Sequence, residues 1–181
     1  MQDIWRNGYE ASSVKAISEK LGITRSSFYN AFGSREALFL EVLERYSAQT
    51  PDRVLNDVKA KTPIKRLLTD FFKSVCKNRI SDPEARGCLA VNCVTELVGV
   101  DETLGPVMEN VVLNSVKRFE HLLRMAAAQG EIIDDCQLHH KALVLQNLLV
   151  GLSVMAKIIR SRKDLEAVVE QTLRGLELYE E

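Results

Sequence analysis

The chain has few residues of the kinds that break helices or cross-link chains. Among its 181 residues are four prolines, nine glycines and four cysteines, so long stretches are free to be helical and a disulfide scaffold is not predicted. No apolar segment of a signal peptide follows the N-terminus, and Asp3 lies where a basic residue would be expected. These absences predict a cytoplasmic protein whose cysteines are thiols.

A strong excess of charge is also lacking. The formal net charge is −1, so a nucleic-acid surface, if there is one, must be local. No nucleophile with a nearby base, no glycine-rich phosphate loop and no set of metal ligands is visible, so the sequence predicts neither an enzyme nor a cofactor or metal. The hydrophobic share of 46% and charged share of 27% are typical of a globular protein with a sizeable core.

What is present is clearest in residues 12–35, which predict two short helices joined by a tight turn. Ser12 or Ser13 is placed to cap the first helix, Gly22 to end it, and Thr24 to cap the second. The apolar positions at helical spacing are Val14, Ile17 and Leu21, then Phe28, Tyr29 and Phe32. This arrangement is typical of a helix-turn-helix, whose second helix enters the DNA major groove.

The alternative for this segment is an ordinary helical hairpin, and two details oppose it. Residues 14–35 contain four basic side chains and one acidic one, a local net charge of +3. The second helix also begins with Arg25, Ser26 and Ser27, groups suited to hydrogen bonds with phosphates and base edges. DNA binding is therefore the leading hypothesis.

The remaining chain predicts further helices and no strands, so the expected fold class is all-α. Ser34 is placed to cap a helix through about residue 48, and two later helices are expected to carry Pro51 and Pro63 at their first positions. Asp82-Pro83 is expected to open the following helix. The predicted spans after residue 48 are 50–59, 62–78, 82–99, 101–129, 134 or 135 to 162, and 164–179.

The run at residues 142–159 is apolar enough to raise the question of a membrane span. Polar residues including Gln146, Asn147 and Lys157 interrupt it, and charges flank both ends, so a membrane helix is not predicted. A helix this apolar needs cover on nearly every side. We therefore predict a homodimer through the last two helices, about 135–162 and 164–179, which would form a four-helix interface.

The first quarter of the chain resembles the tetracycline-repressor (TetR) family. The motif consists of Gly8-Tyr9, Ser12-Ser13-Val14, Ile17, Leu21-Gly22-Ile23-Thr24, Ser27-Phe28-Tyr29, Phe32 and Ser34-Arg35-Glu36-Ala37-Leu38-Phe39. Ser18 and Arg35 depart from the family's usual Ala and Lys. Family members usually have a longer first helix, so this sequence is expected to start within that helix. Such a chain should bind its operator weakly or be less stable than one extended upstream.

The resemblance implies a helix-turn-helix domain over residues 1–46 and a helical effector-binding and dimerisation domain over residues 47–181. It implies double-stranded operator DNA and a small-molecule effector of unknown identity as partners. The residues expected at the DNA are Ser13, Lys15, Thr24, Arg25, Ser26, Ser27, Tyr29, Asn30 and Arg35. Ser13, Lys15 and Arg35 would anchor phosphates, and Tyr29 would also reach the backbone. The expected core of this domain is Val14, Ile17, Leu21, Ile23, Phe28 and Phe32.

Candidates for effector binding or sensing are Cys88, Asn92 and Glu96, which recur every four residues along one helix. A buried Asn–Glu pair must be satisfied by a ligand or, as the alternative, by water or by the protein itself. The local pattern resembles a branch of the family that responds to electrophiles and oxidants, which implies Cys88 as a sensor thiol; the alternative is an inert buried cysteine. His121 is expected to be a core or pocket residue.

The other cysteines and histidines carry weaker predictions. Cys76 and Cys93 are expected in the core. Cys136, His139 and His140 have a spacing that places two ligands on one metal, but a structural zinc needs four, so a surface cluster is expected.

Two classes of function remain open. The first is a ligand-responsive DNA-binding regulator that acts as a repressor. The second is a helical ligand-binding or interaction protein with a vestigial DNA-binding segment.

Overall fold

In the computed structural model, residues 1–56, 58–133 and 136–181 are described, and these residues form α-helices and one 3-10 helix without a strand. The all-α prediction is confirmed. The α-helices are α1 (Gln2–Asn7), α2 (Val14–Leu21), α3 (Arg25–Phe32), α4 (Arg35–Ser47), α5 (Ile64–Ser81), α6 (Leu89–Leu97), α7 (Leu104–Ala128), α8 (Leu138–Met155) and α9 (Arg162–Gly175). None of the described helices is long and apolar enough to cross a membrane.

The helices form two compact units. The first unit comprises Met1–Thr50 and Cys88–Glu109, and the second comprises Pro51–Gly87 and Asn110–Glu181. The predicted domain boundary between residues 46 and 47 stays a prediction. The contact-based units differ from it in grouping residues 88–109 with the N-terminal helices.

The first unit buries one aromatic-rich core. Tyr9, Phe28 and Phe39 are almost completely buried, and the Tyr9 and Phe39 rings meet edge to face with centroids 5.1 Å apart. α6 packs on α1 and α4, and it contributes Leu89, Cys93 and Leu97, which are all buried. Helices this short are marginal on their own. The burial of their apolar side chains, which contributes about 25 cal/mol per Å², stabilises them in the folded unit.

The second unit has a larger core, formed mainly by α5, α7, α8 and α9. Phe72 stacks on Phe119 with centroids 6.0 Å apart, and Phe71 lies against both rings. The N-terminus of α5 has no side-chain cap of its own. The Glu131 carboxylate accepts hydrogen bonds from the Ile64 and Lys65 backbone N–H groups at 2.9 Å each and so satisfies two donors that a helix start leaves unpaired.

Three predicted helix boundaries are wrong. Residues 51–55 form only a 3-10 helix, and Pro63 precedes α5 as its N-cap instead of occupying its first turn. Asp82-Pro83 does not open a helix, because the Asp82 carboxylate accepts from the backbone N–H groups of Glu84 and Arg86 and folds residues 82–88 into a loop. α6 therefore begins only at Leu89.

The last two helices are also shorter than predicted. α8 ends at Met155 and not near residue 162, and α9 ends at Gly175. The predicted start at residue 134 or 135 lies outside the described residues.

Candidate nucleic-acid interface

α2 and α3 are joined by a turn whose hydrogen bonds are all local. Ser13 accepts from the Ala16 N–H and caps α2, while the Ser12 hydroxyl is buried and donates to the Gly8 carbonyl. Gly22 adopts a left-handed conformation (φ 65°, ψ 30°), and Ile23 N–H donates back to the Ser18 carbonyl. The prediction of a capped helix ended by Gly22 is confirmed, with Ser13 as the cap.

α3 presents one buried face and one exposed face. Phe28 is completely buried, with its ring 5.2 Å from that of Phe32 and 5.6 Å from that of Tyr29. The exposed residues among the predicted DNA contacts on this helix are Arg25, Ser26, Ser27, Tyr29 and Asn30. Burial of Phe28 therefore fixes which side of α3 is presented outward.

The hydroxyl groups of Thr24 and Ser27 take part in capping the start of α3. Thr24 Oγ1 accepts from the Ser27 N–H at 3.1 Å and lies 2.9 Å from Ser27 Oγ. These hydrogen bonds cap the helix. Arg25, Ser26, Tyr29 and Asn30 consequently carry the polar groups of α3 that are best placed to contact a ligand.

On α2, the predicted phosphate contacts are accessible. Lys15 is exposed, and its ammonium group lies 3.9 Å from the equally exposed Glu19 carboxylate. An exposed pair of this kind contributes little stability and is easily exchanged for another anion. Ser13 uses its oxygen as an acceptor in capping and keeps its hydroxyl hydrogen for donation.

Arg35 differs from the other predicted DNA contacts because its guanidinium group is bound within the protein. It donates to the carbonyl oxygens of Ser12 at 3.2 Å, Glu10 at 3.2 Å and Tyr9, and it stacks on the Tyr9 ring at 3.8 Å. This geometry gives Arg35 a structural role in fixing the loop between α1 and α2. A phosphate contact by Arg35 stays a prediction.

Tyr9 belongs to the same loop, and its side chain is buried in the core of the first unit. Burial raises the pKa of its hydroxyl to about 12, against the opposing effect of the nearby Arg35, and the hydroxyl donates to the Glu36 carboxylate at 3.4 Å. The phenol is therefore neutral at physiological pH.

One expected core position is less enclosed than predicted. Leu21 is 57% exposed, so its assignment to the core is wrong. It lies at the end of α2, on the wall of a groove of about 560 Å³ that Ile4, Ile17 and Phe32 also line. Ile17 and Phe28 are buried as predicted.

The described geometry defines a class of protein. α2 and α3 are two capped helices joined by a glycine turn. A buried phenylalanine fixes the second helix, which exposes arginine, hydroxyl and amide groups. This arrangement is a helix-turn-helix of the DNA-binding type.

Of the three candidate effector residues, Cys88 and Glu96 are in different environments at the two ends of α6. Cys88 is the N-cap residue of the helix and is buried, and its carbonyl accepts from the Asn92 N–H. Glu96 accepts hydrogen bonds from the backbone N–H groups of Tyr9 at 3.0 Å and Glu10 at 2.8 Å. The Glu96 carboxylate is thus hydrogen-bonded within the protein, and an effector contact by Glu96 stays a prediction. Nothing in the sequence indicated this pairing, which joins residues more than eighty positions apart.

The remaining thiols and imidazoles are mostly placed as expected. Cys76 and Cys93 are fully buried, and burial raises the pKa of each thiol to about 12. His121 is exposed on α7, in the second unit, so its assignment to the core is wrong and a role in effector binding stays a prediction. Cys136 is exposed, and His139 Nδ1 lies 3.3 Å from the Glu120 carboxylate. No three His, Cys, Asp or Glu side chains are grouped as metal ligands within the described ranges.

Known proteins share both the sequence pattern and the fold. The model of the bacterial regulatory proteins of the tetR family matches residues 2–42. The HTH-type regulator YezE of Bacillus subtilis is 28% identical over 172 residues, covering 94% of this chain and 88% of YezE. The HTH-type repressor ComR of Escherichia coli is 26% identical over 178 residues, covering 96% of this chain and 83% of ComR.

The similar solved structures include two of cysteine mutants of the TetR family regulator CifR with a 26-base-pair operator. One has a TM-score of 0.83 and 29% identity, the other a TM-score of 0.81 and 30% identity, and in both cases 95% of this chain and 90% of CifR are covered. The chain belongs to the TetR family of bacterial regulatory proteins. It is accordingly a DNA-binding transcriptional regulator and not an enzyme.

Proposed function

We propose that this protein is a dimeric repressor that binds an operator through α3 and releases it when an effector binds. The observation that carries the proposal is the exposed face of α3, where Arg25, Ser26, Tyr29 and Asn30 project from a helix that Phe28 fixes in place. CifR, at 30% identity, is a regulator that forms a complex with operator DNA, and ComR is named as a repressor. Acting on the chromosome, the protein would work in the cytoplasm.

The proposed DNA contacts fall into two chemical groups, those suited to base edges and those suited to the sugar-phosphate backbone. Arg25 and Asn30 have the planar donor or donor–acceptor groups that pair with base edges in the major groove. Ser13 and Lys15, at the start of α2, have single donors suited to phosphate oxygens, and the N-terminus of α2 adds a partial positive charge. Tyr29 is large enough to reach the sugar-phosphate backbone from α3.

Dimerisation is supported by the surface of α8 and α9. Val144 is 39% exposed, Met155 42% and Val168 50%, and these side chains lie on one apolar groove of about 390 Å³ that Gly151 and Thr172 also line. Contiguous apolar surface of this kind is typical of subunit interfaces. Two copies related by a two-fold axis would place one recognition helix on each half of a near-palindromic operator.

The effector is proposed to be an electrophile or an oxidant that modifies Cys88. Cys88 is the N-cap residue of α6, so a group added to its thiol would lie at the start of this helix. Addition of the Cys88 thiol across the double bond of an electrophilic alkene would form a sulfur–carbon bond, and the thiol proton would be transferred, directly or through water, to the adjacent carbon. The thiols of Cys76 and Cys93 remain protonated, since the pKa of each is about 12.

The binding experiment uses the full chain with DNA selected from a random pool and with DNA from upstream of its own gene. We expect enrichment of a near-palindromic sequence and a complex of two chains per site in a gel-shift assay. Failure to enrich any sequence would contradict the proposal and favour the second class, a helical ligand-binding protein with a vestigial DNA-binding segment.

A second experiment tests the effector. Treatment with N-ethylmaleimide or hydrogen peroxide should release the selected DNA, with modification of Cys88 detected by peptide mass spectrometry. Cys88→Ser should bind DNA and resist release, whereas Cys136→Ser, which changes an exposed thiol, should behave like the parent. Release while Cys88 stays unmodified would exclude the sensor role.

A further inference from the structure

The loop between α1 and α2 is held from two sides by side chains distant in sequence. From α6, both oxygens of the Glu96 carboxylate accept hydrogen bonds, Oε2 from the Tyr9 N–H at 3.0 Å and Oε1 from the Glu10 N–H at 2.8 Å. From the first residue of α4, Arg35 donates to carbonyl oxygens of the same loop. The loop therefore has its amides bound to α6 and its carbonyls bound to α4.

Gly8 allows the carboxylate to come this close. Its φ of 84° is a conformation that L side chains rarely adopt, and a Cβ atom added there would lie 2.8 and 2.9 Å from the two Glu96 oxygens. Gly33 has a similar φ of 75°, but nothing lies within 4 Å of the equivalent Cβ position. A side chain at position 8 would therefore meet Glu96, whereas a side chain at position 33 would meet no neighbouring atom.

The loop leads directly into the helix-turn-helix. It ends at Ser13, which caps α2, and α2 is joined to α3 by the turn at Gly22. Hydrogen bonds that involve a charged group are about twice as strong as neutral ones. The two hydrogen bonds to the Glu96 carboxylate therefore bind this loop strongly to α6.

We infer that Glu96 is a positioning residue for DNA recognition: it binds the α1–α2 loop to α6 and so sets where α2 and α3 lie. Cys88 is the N-cap residue just before the nine-residue α6, without a capping side-chain hydrogen bond, and Glu96 lies in the last turn of this helix. A displacement at Cys88 therefore reaches the loop through one rigid element. This second step rests on the proposed function, whereas the positioning role does not depend on the identity of the effector.

The test compares Glu96→Gln with Glu102→Gln, which removes the same charge from an exposed residue of the same unit. Glutamine offers one oxygen and turns an NH2 group toward the second backbone N–H, so one hydrogen bond is lost. We expect Glu96→Gln to bind the selected operator about tenfold more weakly, at a temperature where it remains folded. Hydrogen exchange should accelerate at Tyr9, at Glu10 and through residues 13–32, and Glu102→Gln should match the parent in both measurements.

A second pair of variants disturbs the contact between Glu96 and the α1–α2 loop by changing the loop instead of Glu96. Gly8→Ala should reproduce the effects of Glu96→Gln. Gly33→Ala also places an alanine at a positive φ, but without the clash, and should leave exchange at Tyr9 and Glu10 unchanged. Should Gly8→Ala fail to fold, Glu96→Gln still decides the matter.

The outcomes separate this inference from the proposed function. If Glu96→Gln speeds hydrogen exchange only at Tyr9 and Glu10 and leaves operator affinity unchanged, the positioning role is overturned. Glu96 would then only satisfy the two backbone N–H groups of the loop. If the parent chain binds no DNA, the proposed function fails, and exchange across residues 13–32 still decides whether Glu96 positions the helix-turn-helix.

Discussion

Arg25 is the side chain on which base specificity is expected to depend. It is the first residue of α3, it is exposed, and its planar guanidinium group can donate two parallel hydrogen bonds to a guanine. Arg25→Ala should cost about 1–3 kcal/mol of binding free energy and relax the preference at one base pair. Fluorescence anisotropy with the selected operator and its single-base variants measures both effects.

Lys15→Ala is the matched control for that experiment. A phosphate contact should weaken binding to every sequence equally and lower the slope of log K against log salt by about 1. A uniform loss for Arg25→Ala, with a lower salt slope, would show that Arg25 also contacts phosphate and does not recognise a base.

Asp82 is expected to make stability sensitive to acid. Burial opposes ionisation, but hydrogen bonds from Arg86 and its charge hold the pKa of this carboxyl below its ordinary value. Because the folded pKa is the lower one, the contribution is complete above the unfolded pKa, near 4, and is lost as pH falls through the folded pKa. Asp82→Asn should cost about 1–3 kcal/mol at pH 7 and flatten the loss of stability in acid.

Denaturant unfolding at a series of pH values tests this prediction. Asp70→Asn serves as the control, because Asp70 pairs with Arg66 on an exposed part of α5 and should contribute less than about 1 kcal/mol. An acid profile of Asp82→Asn parallel to that of the parent would show that another group controls acid unfolding.

The predictable residues are those whose role depends on near neighbours. Ser13, Thr24 and Ser34 each accept a hydrogen bond from an N–H three residues later, and such caps follow from sequence pattern alone. Arg35 and Glu96 bind backbone groups at least 23 positions away, and no local pattern specifies those partners. Exposed phosphate-binding and structural arginines also look alike in a sequence.

At the scale of elements, the loop after α5 is the connection that sequence patterns misassigned. Asp82 followed by proline resembles a helix start, yet Arg160 donates to the carbonyls of Ile80 and Asp82 and fixes the chain as a loop. Gly87 then adopts a φ of 72°, and an added Cβ would lie 2.5 Å from the Ser153 carbonyl oxygen of α8. The loop is shaped by contacts with α8 and with the segment after it, which a sequence window cannot include.

Gly87→Ala should therefore destabilise the second unit more than backbone strain alone explains. A left-handed alanine costs roughly 1–2 kcal/mol, and the clash with the Ser153 carbonyl should raise the total to about 3 kcal/mol or more. Gly130→Ala isolates the strain, since Gly130 has a φ of 74° and open space at its Cβ position. Equal losses of unfolding free energy in the two variants would show that the loop moves away from α8 without cost.

For the whole molecule, the apolar surface of α8 and α9 is the surface through which we propose that two chains associate. Val168 is half exposed and lines the apolar groove beside Leu165 and Leu148, which are buried. A surface of this character on a lone chain leaves apolar area in water that a second copy would cover, at about 25 cal/mol per Å². The stability of such a dimer depends on protein concentration.

Val168→Asp should dissociate the dimer, because each interface would then bury two carboxylates that have no partner. Leu113→Asp is the control: Leu113 is 53% exposed on α7 and does not line the groove. Sedimentation equilibrium should give a monomer for Val168→Asp, with a melting temperature that no longer rises with protein concentration, and a dimer for Leu113→Asp. Operator affinity should fall steeply only in the first variant, since one recognition helix then contacts one half-site; a dimeric Val168→Asp would place the interface elsewhere.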